Sequence, residues 1–178
     1  MNEQKENYDE IEQYDYIDGE YLEKVVDKYG PLIGLFLINF SILEHELNLA
    51  IADFICDRAH EKGFIIIEKL TTSNKIELFY KMYARLESFK DKKNKDMLNK
   101  IREKLESLNI FRNCIVHANW QSLSKDGFVR TKIVVDNQDG YVKFKKVQIT
   151  PKIIRPKIKE IERLIDQIDK YKETVFQF

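Results

Sequence analysis

The chain has 178 residues, of which 43% are hydrophobic, 34% charged and 12% aromatic. That length supports one well-buried core and is short for two independent ones, and the composition excludes an intrinsically disordered chain. Lysine plus arginine and aspartate plus glutamate both number 30, so net charge alone points to no polyanionic partner.

The charge is nevertheless uneven. Residues 1–18 carry Glu3, Glu6, Asp9, Glu10, Glu12, Asp15 and Asp18 against Lys5, which leaves 29 bases and 23 acids for the remainder. An acidic, Tyr-containing leader of this kind is expected to be a solvated, mobile arm over residues 1–19; its rarer role is that of a nucleic-acid mimic over a basic groove. Residues 20–178 are expected to form a single domain. No basic segment followed by an apolar one opens the sequence. The most apolar stretch, Pro31 to Leu43, runs directly into Glu44, His45 and Glu46 and is too short to cross a bilayer. The expectation is a cytoplasmic chain with no membrane association.

From Ile33 the apolar residues Phe36, Phe40, Leu43, Leu47, Ala50 and Phe54 follow in steps of three and four, one face of a central helix, with Pro31 suited to its first turn. Phe64 to Leu70 is a short apolar run. Asn74 and Glu77 have the spacing of a capping box, which predicts a helix from Lys75 to about Ser88. After a Lys-rich turn over Lys90 to Lys95, a long helix from Asn94 carries Leu98, Ile101, Leu105, Leu108, Arg112 and Ile115. Beyond Trp120, Phe128 to Val135 and Tyr141 to Ile149 are rich in β-branched and aromatic residues and flank a turn sequence, so a β-hairpin is expected. Thr150 and Pro151 then open a last helix with Ile154, Ile158, Ile161, Ile165 and Ile168 as its apolar face, kinked or delayed by Pro156. The fold class expected is mainly α: a bundle of four to five helices with a hairpin before the C-terminal helix. Cys56 and Cys114 lie beside apolar residues in helical patterns and read as small hydrophobes, with no disulfide framework.

Arg112 stands where the three-four rhythm calls for an apolar residue. Burying a guanidinium alone costs several kcal/mol, so it must be paired, or face a cleft or a partner. At about 100° per residue, Asn109, Arg112, Asn113, Val116 and His117 share one arc at the helix C-terminus. An imidazole has an ordinary pKa near about 6.5, so His117 can take or give a proton at neutral pH.

The stretch Asn109-Ile110-Phe111-Arg112-Asn113-Cys114-Ile115-Val116-His117-Ala118-Asn119-Trp120 resembles the motif of the HEPN superfamily, Arg-x4-6-His with a polar residue, usually Asn, after the Arg. Here four residues separate Arg112 from His117. In that family the motif closes a long helix of an all-helical bundle, and a small residue and an aromatic often follow, as Ala118 and Trp120 do. The resemblance extends more loosely to Phe40–Leu47 and to the helix from Lys75, and it predicts nothing about the hairpin. It implies a metal-independent endoribonuclease in which the RNA 2′-hydroxyl attacks its own phosphate, leaving a cyclic phosphate and a 5′-hydroxyl. Arg112 would hold the phosphate through two parallel bonds, His117 would move the proton, and Asn113 would orient either. Because one imidazole cannot easily serve as base and acid in one displacement, the family's two-fold homodimer, with motifs from both chains in one cleft, is implied as well.

Glu44 and Asn109 are supporting candidates, Glu44 as a carboxylate partner for Arg112. Arg130, Lys132, Lys143, Lys145 and Lys146, interleaved with Tyr141 and Phe144, make the hairpin a candidate RNA surface; the competing reading is a solvated strand face. No ligand-spaced group suggests a metal, and no cofactor is implied. The function expected is a ribonuclease of the toxin or defence kind, checked by an antitoxin or a trigger. The alternative is a non-catalytic HEPN module that dimerises or binds a nucleotidyltransferase-type partner.

Overall fold

A computed structural model describes residues 2–8, 11, 17–55, 60–135 and 140–176. The fold is mainly α, with five α-helices among these residues and an antiparallel hairpin before the last helix. The elements run β1 (Glu3–Asn7), α1 (Gly19–Ile55), α2 (Glu61–Ile67), α3 (Thr72–Tyr83), α4 (Lys92–Val116), β2 (Phe128–Val135), β3 (Val142–Gln148) and α5 (Pro151–Phe176). Short 3₁₀ turns lie at Glu87–Lys90 and Trp120–Ser122. The chain divides into two compact units, Met1–Phe36 with Phe111–Pro156, and Leu37–Ile110 with Lys157–Phe178.

The first unit carries the sheet, in strand order β1-β3-β2 with both pairings antiparallel. Within the segment read as an acidic arm, Glu3–Asn7 forms an edge strand, in register Glu3↔Val147 to Asn7↔Lys143. Asp18, counted with the arm, caps α1 by accepting the Tyr21 N–H at 2.8 Å. The remaining acids of the leader, Asp9, Glu10, Glu12 and Asp15, lie outside the described residues, as do Cys56 and most of the hairpin turn. Val25, Tyr29, Phe36, Phe111, Ile115, Val129, Val147 and Ile154 form this unit's buried core. Phe36 meets Phe111 edge-on at 5.2 Å, a favourable aromatic geometry. Gly127 closes the approach to β2 at φ +84°, and a Cβ there would strike the Thr150 side chain at 2.5 Å.

In the second unit α1 buries Phe40, Leu43, Leu47 and Ala50, as the periodicity predicts, and Ile51 beside them, while Phe54 is half-buried. Phe79 and Tyr83 of α3, Leu98, Ile101, Leu105 and Leu108 of α4, and Ile158, Ile161, Leu164, Ile168 and Tyr171 of α5 complete its core. Leu164, rather than the expected Ile165, is buried. Gly63 of α2 is required by close approach, because a Cβ would lie 2.6 Å from the Ala52 Cα.

Some helix boundaries differ from expectation. Pro31 lies inside α1, not in its first turn. The position is exposed, so water can satisfy the carbonyl that a proline leaves without a donor. The cap of α3 is Thr71, whose hydroxyl accepts the Asn74 N–H at 3.3 Å, so that helix begins earlier than the Asn74 pattern suggests and ends at Tyr83. α5 starts at Pro151, so Pro156 lies inside the helix and does not delay its start. By length and composition alone α1 also contains one window apolar enough to cross a membrane, with 39% of that window buried in the fold.

Candidate active site

The C-terminal turn of α4 positions the candidate residues. Leu108, Phe111 and Ile115 point inward, so the buried rhythm of α4 passes through Phe111 and not Arg112. The sequence argument that Arg112 occupies a core position is thus corrected. Steps of three and four fit either residue, and the phenyl ring takes the inside because it needs no polar partner. Arg112 is half-buried at the flank, while Asn113, Val116 and His117 are exposed. The Arg112 Nη1 donates to Asn113 Oδ1 at 3.1 Å; among the described residues this guanidinium is bonded to a neutral amide and not to a carboxylate. His117 donates its backbone N–H to the Asn113 carbonyl at 3.0 Å, which carries helical spacing one residue past the end of α4.

The backbone beyond His117 is held firmly. Asn119 donates its N–H to the Arg130 carbonyl at 2.8 Å, and Ser122 Oγ donates to the Asn119 carbonyl at 2.6 Å. Ser122 Oγ in turn accepts the Arg130 N–H at 2.9 Å. The Trp120 ring lies 5.4 Å from that of Tyr29. His117 is therefore an exposed imidazole between a rigid helix turn and a pinned loop, an arrangement that limits the backbone freedom a proton-transfer group would otherwise lose on binding substrate. Cys114 is half-buried; burial pushes its thiol up, consistent with an inert small hydrophobe.

The two supporting candidates are occupied elsewhere. Asn109 is buried and donates through its amide to Ser73 Oγ at 2.9 Å, beside a cavity of about 300 Å³ lined by Ile76, Glu77, Arg102 and Glu106. Glu44 accepts from Lys75 Nζ at 3.0 Å and from Thr72 Oγ1 at 3.1 Å, so its carboxylate partner is Lys75 and not Arg112 as expected. His45 is exposed, and His60 pairs with Asp53 at 2.6 Å. No cluster of three His, Cys, Asp or Glu with metal-ligand geometry occurs among the described residues.

The hairpin bases are not an open surface. Arg130 is 3% exposed, and its Nε donates to Glu6 Oε2 at 2.7 Å while its guanidinium lies over the Phe144 ring. Lys146 reaches the other Glu6 oxygen at 2.9 Å, and Lys145 pairs with Glu3 at 2.7 Å. Lys143 is half-buried and engaged, which leaves Lys132 exposed on β2. Burial pushes the Glu6 carboxyl up, but hydrogen bonds from Arg130 and Lys146, with their charges, outweigh it and hold the group below its ordinary value. Glu6 is the residue that sequence reading missed. The segment Glu3–Asn7 shows no apolar alternation, so hydrophobic periodicity carries no sign of a strand there.

Comparison with protein-family models, with curated proteins and with solved structures finds no match to this chain.

Proposed function

We propose that this chain is a HEPN-type, metal-independent endoribonuclease of the cytoplasm, acting as a homodimer in a toxin-antitoxin or defence setting. The observation that carries the reading is the exposed terminal turn of α4, where Arg112, Asn113 and His117 share a face and the Arg112 guanidinium is bonded to the Asn113 amide. That spacing is the one expected of an Arg-x4-6-His motif.

The chemistry needs no redox partner. The imidazole takes the proton of the RNA 2′-hydroxyl as that oxygen forms its bond to phosphorus, and the bond to the 5′-oxygen breaks. A second imidazole, from the same position in another copy of the chain, gives the departing oxygen its proton. Arg112 donates to the non-bridging oxygens as charge accumulates on them. The products are a 2′,3′-cyclic phosphate and a 5′-hydroxyl, with every proton accounted for.

Purified protein is expected to cleave a labelled mixed-sequence RNA in excess EDTA. His117→Ala and Arg112→Ala should each slow cleavage by at least about 100-fold, the scale of losing a positioned acid-base or charge-stabilising group. Intact RNA in the presence of folded, dimeric protein would instead favour the non-catalytic module that dimerises or binds a nucleotidyltransferase-type partner.

A further inference from the structure

The first strand brings to the hairpin the two kinds of group a single-stranded RNA brings to a protein. On one face of the sheet a carboxylate meets two cations, the Glu6 oxygens lying 2.7 Å from Arg130 and 2.9 Å from Lys146; Glu3 pairs with Lys145 on the opposite face, because neighbouring strand residues alternate sides. An aromatic ring meets an aromatic ring, with Tyr8 stacked on Phe144 at 5.8 Å and 25°. Phosphates on Lys and Arg, with bases stacked on aromatic side chains, are how sequence-tolerant single-strand binding is built. Glu3–Asn7 is an edge strand laddered to β3 alone, whereas the cations it covers belong to the hairpin proper. Arg130 is nearly inaccessible beneath Glu6, so anything that replaces this strand must itself bring an anion to that position.

We propose that Glu6 and Tyr8 are a built-in mimic of single-stranded RNA, occupying a hairpin face of Arg130, Lys146 and Phe144 that binds RNA when β1 gives way. This inference rests on the ribonuclease reading for its choice of ligand. It also gives the acidic leader a function: the strand is an intramolecular competitor for substrate, in the same compact unit as Arg112 and His117.

The test uses the full chain and a fluorescent single-stranded deoxyoligonucleotide, which lacks the attacking hydroxyl and cannot be cut by transphosphorylation. Glu6→Gln weakens the mimic while leaving Arg130 an amide oxygen to bond. It should bind the probe about tenfold more tightly at low salt, with a log-log salt slope steeper by about 1.4, at about 0.7 for each of two cations made available. Adding Lys146→Ala should remove most of the gain. Should the first variant unfold, Tyr8→Ala alters only the more exposed contact and must show a gain in the same direction. The inference is overturned if affinity does not change, if the gain is undiminished by loss of Lys146, or if Glu3→Gln on the opposite face, or Glu20→Gln/Glu23→Gln on the exposed start of α1, gives an equal gain. It is likewise overturned if an acidic peptide, and not the oligonucleotide, binds the variant, since that would mark the face as a protein-strand site. Tighter probe binding without RNA cleavage would refute the ribonuclease reading alone, and cleavage without the gain would refute this inference alone.

Discussion

Replacing Glu6 by alanine removes one carboxylate from two cations, of which Arg130 is 3% and Lys146 18% exposed at the side chain. Taking one partner from a buried ion pair costs about 3–5 kcal/mol, because the remaining charge stays desolvated. Glu6 is itself 21% exposed and Lys146 can turn to water, so the expected cost is at the lower end, about 3 kcal/mol. For a chain of this size that corresponds to a fall in Tm of roughly 6–12 °C. Arg130→Met should cost less, since it removes the buried charge and leaves Glu6 paired with Lys146. Urea denaturation followed by circular dichroism measures both. The sign of the pH effect follows from the direction of the Glu6 shift. Its folded value is held below the ordinary 4.5, so its contribution is complete above that value and is lost as pH falls through the folded value. The gap between wild type and Glu6→Ala should therefore close on acidification below about pH 4.5. A Glu6→Ala variant as stable as wild type at neutral pH, or an Arg130→Met variant less stable than Glu6→Ala, would refute the reasoning.

Other perturbations separate the parts of the account. Gly63→Ala places a methyl 2.6 Å from the Ala52 Cα and should destabilise the second unit by about 1–3 kcal/mol, read as a lower urea midpoint. Tyr83→Phe removes a buried hydrogen bond to the Ala50 carbonyl at 3.1 Å and should cost about 1 kcal/mol. Tyr171→Phe should be nearly neutral by the same denaturation assay: its buried hydroxyl has no hydrogen-bond partner among the described residues, and burial pushes its pKa up to about 12. If two chains share one active cleft that uses both imidazoles, refolding wild type together with excess His117→Ala chains should lower RNA cleavage below the wild-type fraction, because mixed dimers lack one imidazole; activity proportional to the wild-type fraction would place a complete site in each chain.

Much of the helical fold is legible in spacing because burial repeats every three or four residues. The stripe from Phe36 to Ala50 appears in the structure as read, and β2 and β3 fall where β-branched residues cluster. Where spacing is degenerate it misleads. Between Leu108 and Ile115 both Phe111 and Arg112 satisfy the rhythm, and between Ile161 and Ile168 both Leu164 and Ile165 do; packing decides, and it selects Phe111 and Leu164. Strand β1 is silent for a different reason. Its stability comes from a backbone ladder and from ion pairs with residues more than a hundred positions away, neither of which leaves a local pattern. The same holds for Glu44, whose partner Lys75 lies 31 positions away on another helix. The Arg112, Asn113 and His117 group was legible because all three lie within two turns of one helix, where sequence distance and spatial distance nearly coincide.

The central claim is that the terminal turn of α4 performs transphosphorylation, and the identity of the product ends tests it most directly. RNA treated with the purified chain in EDTA should carry 2′,3′-cyclic phosphate and 5′-hydroxyl ends that disappear with His117→Ala and with Arg112→Ala. Products bearing 5′-phosphates, or cyclic ends formed equally well by both variants, would contradict it.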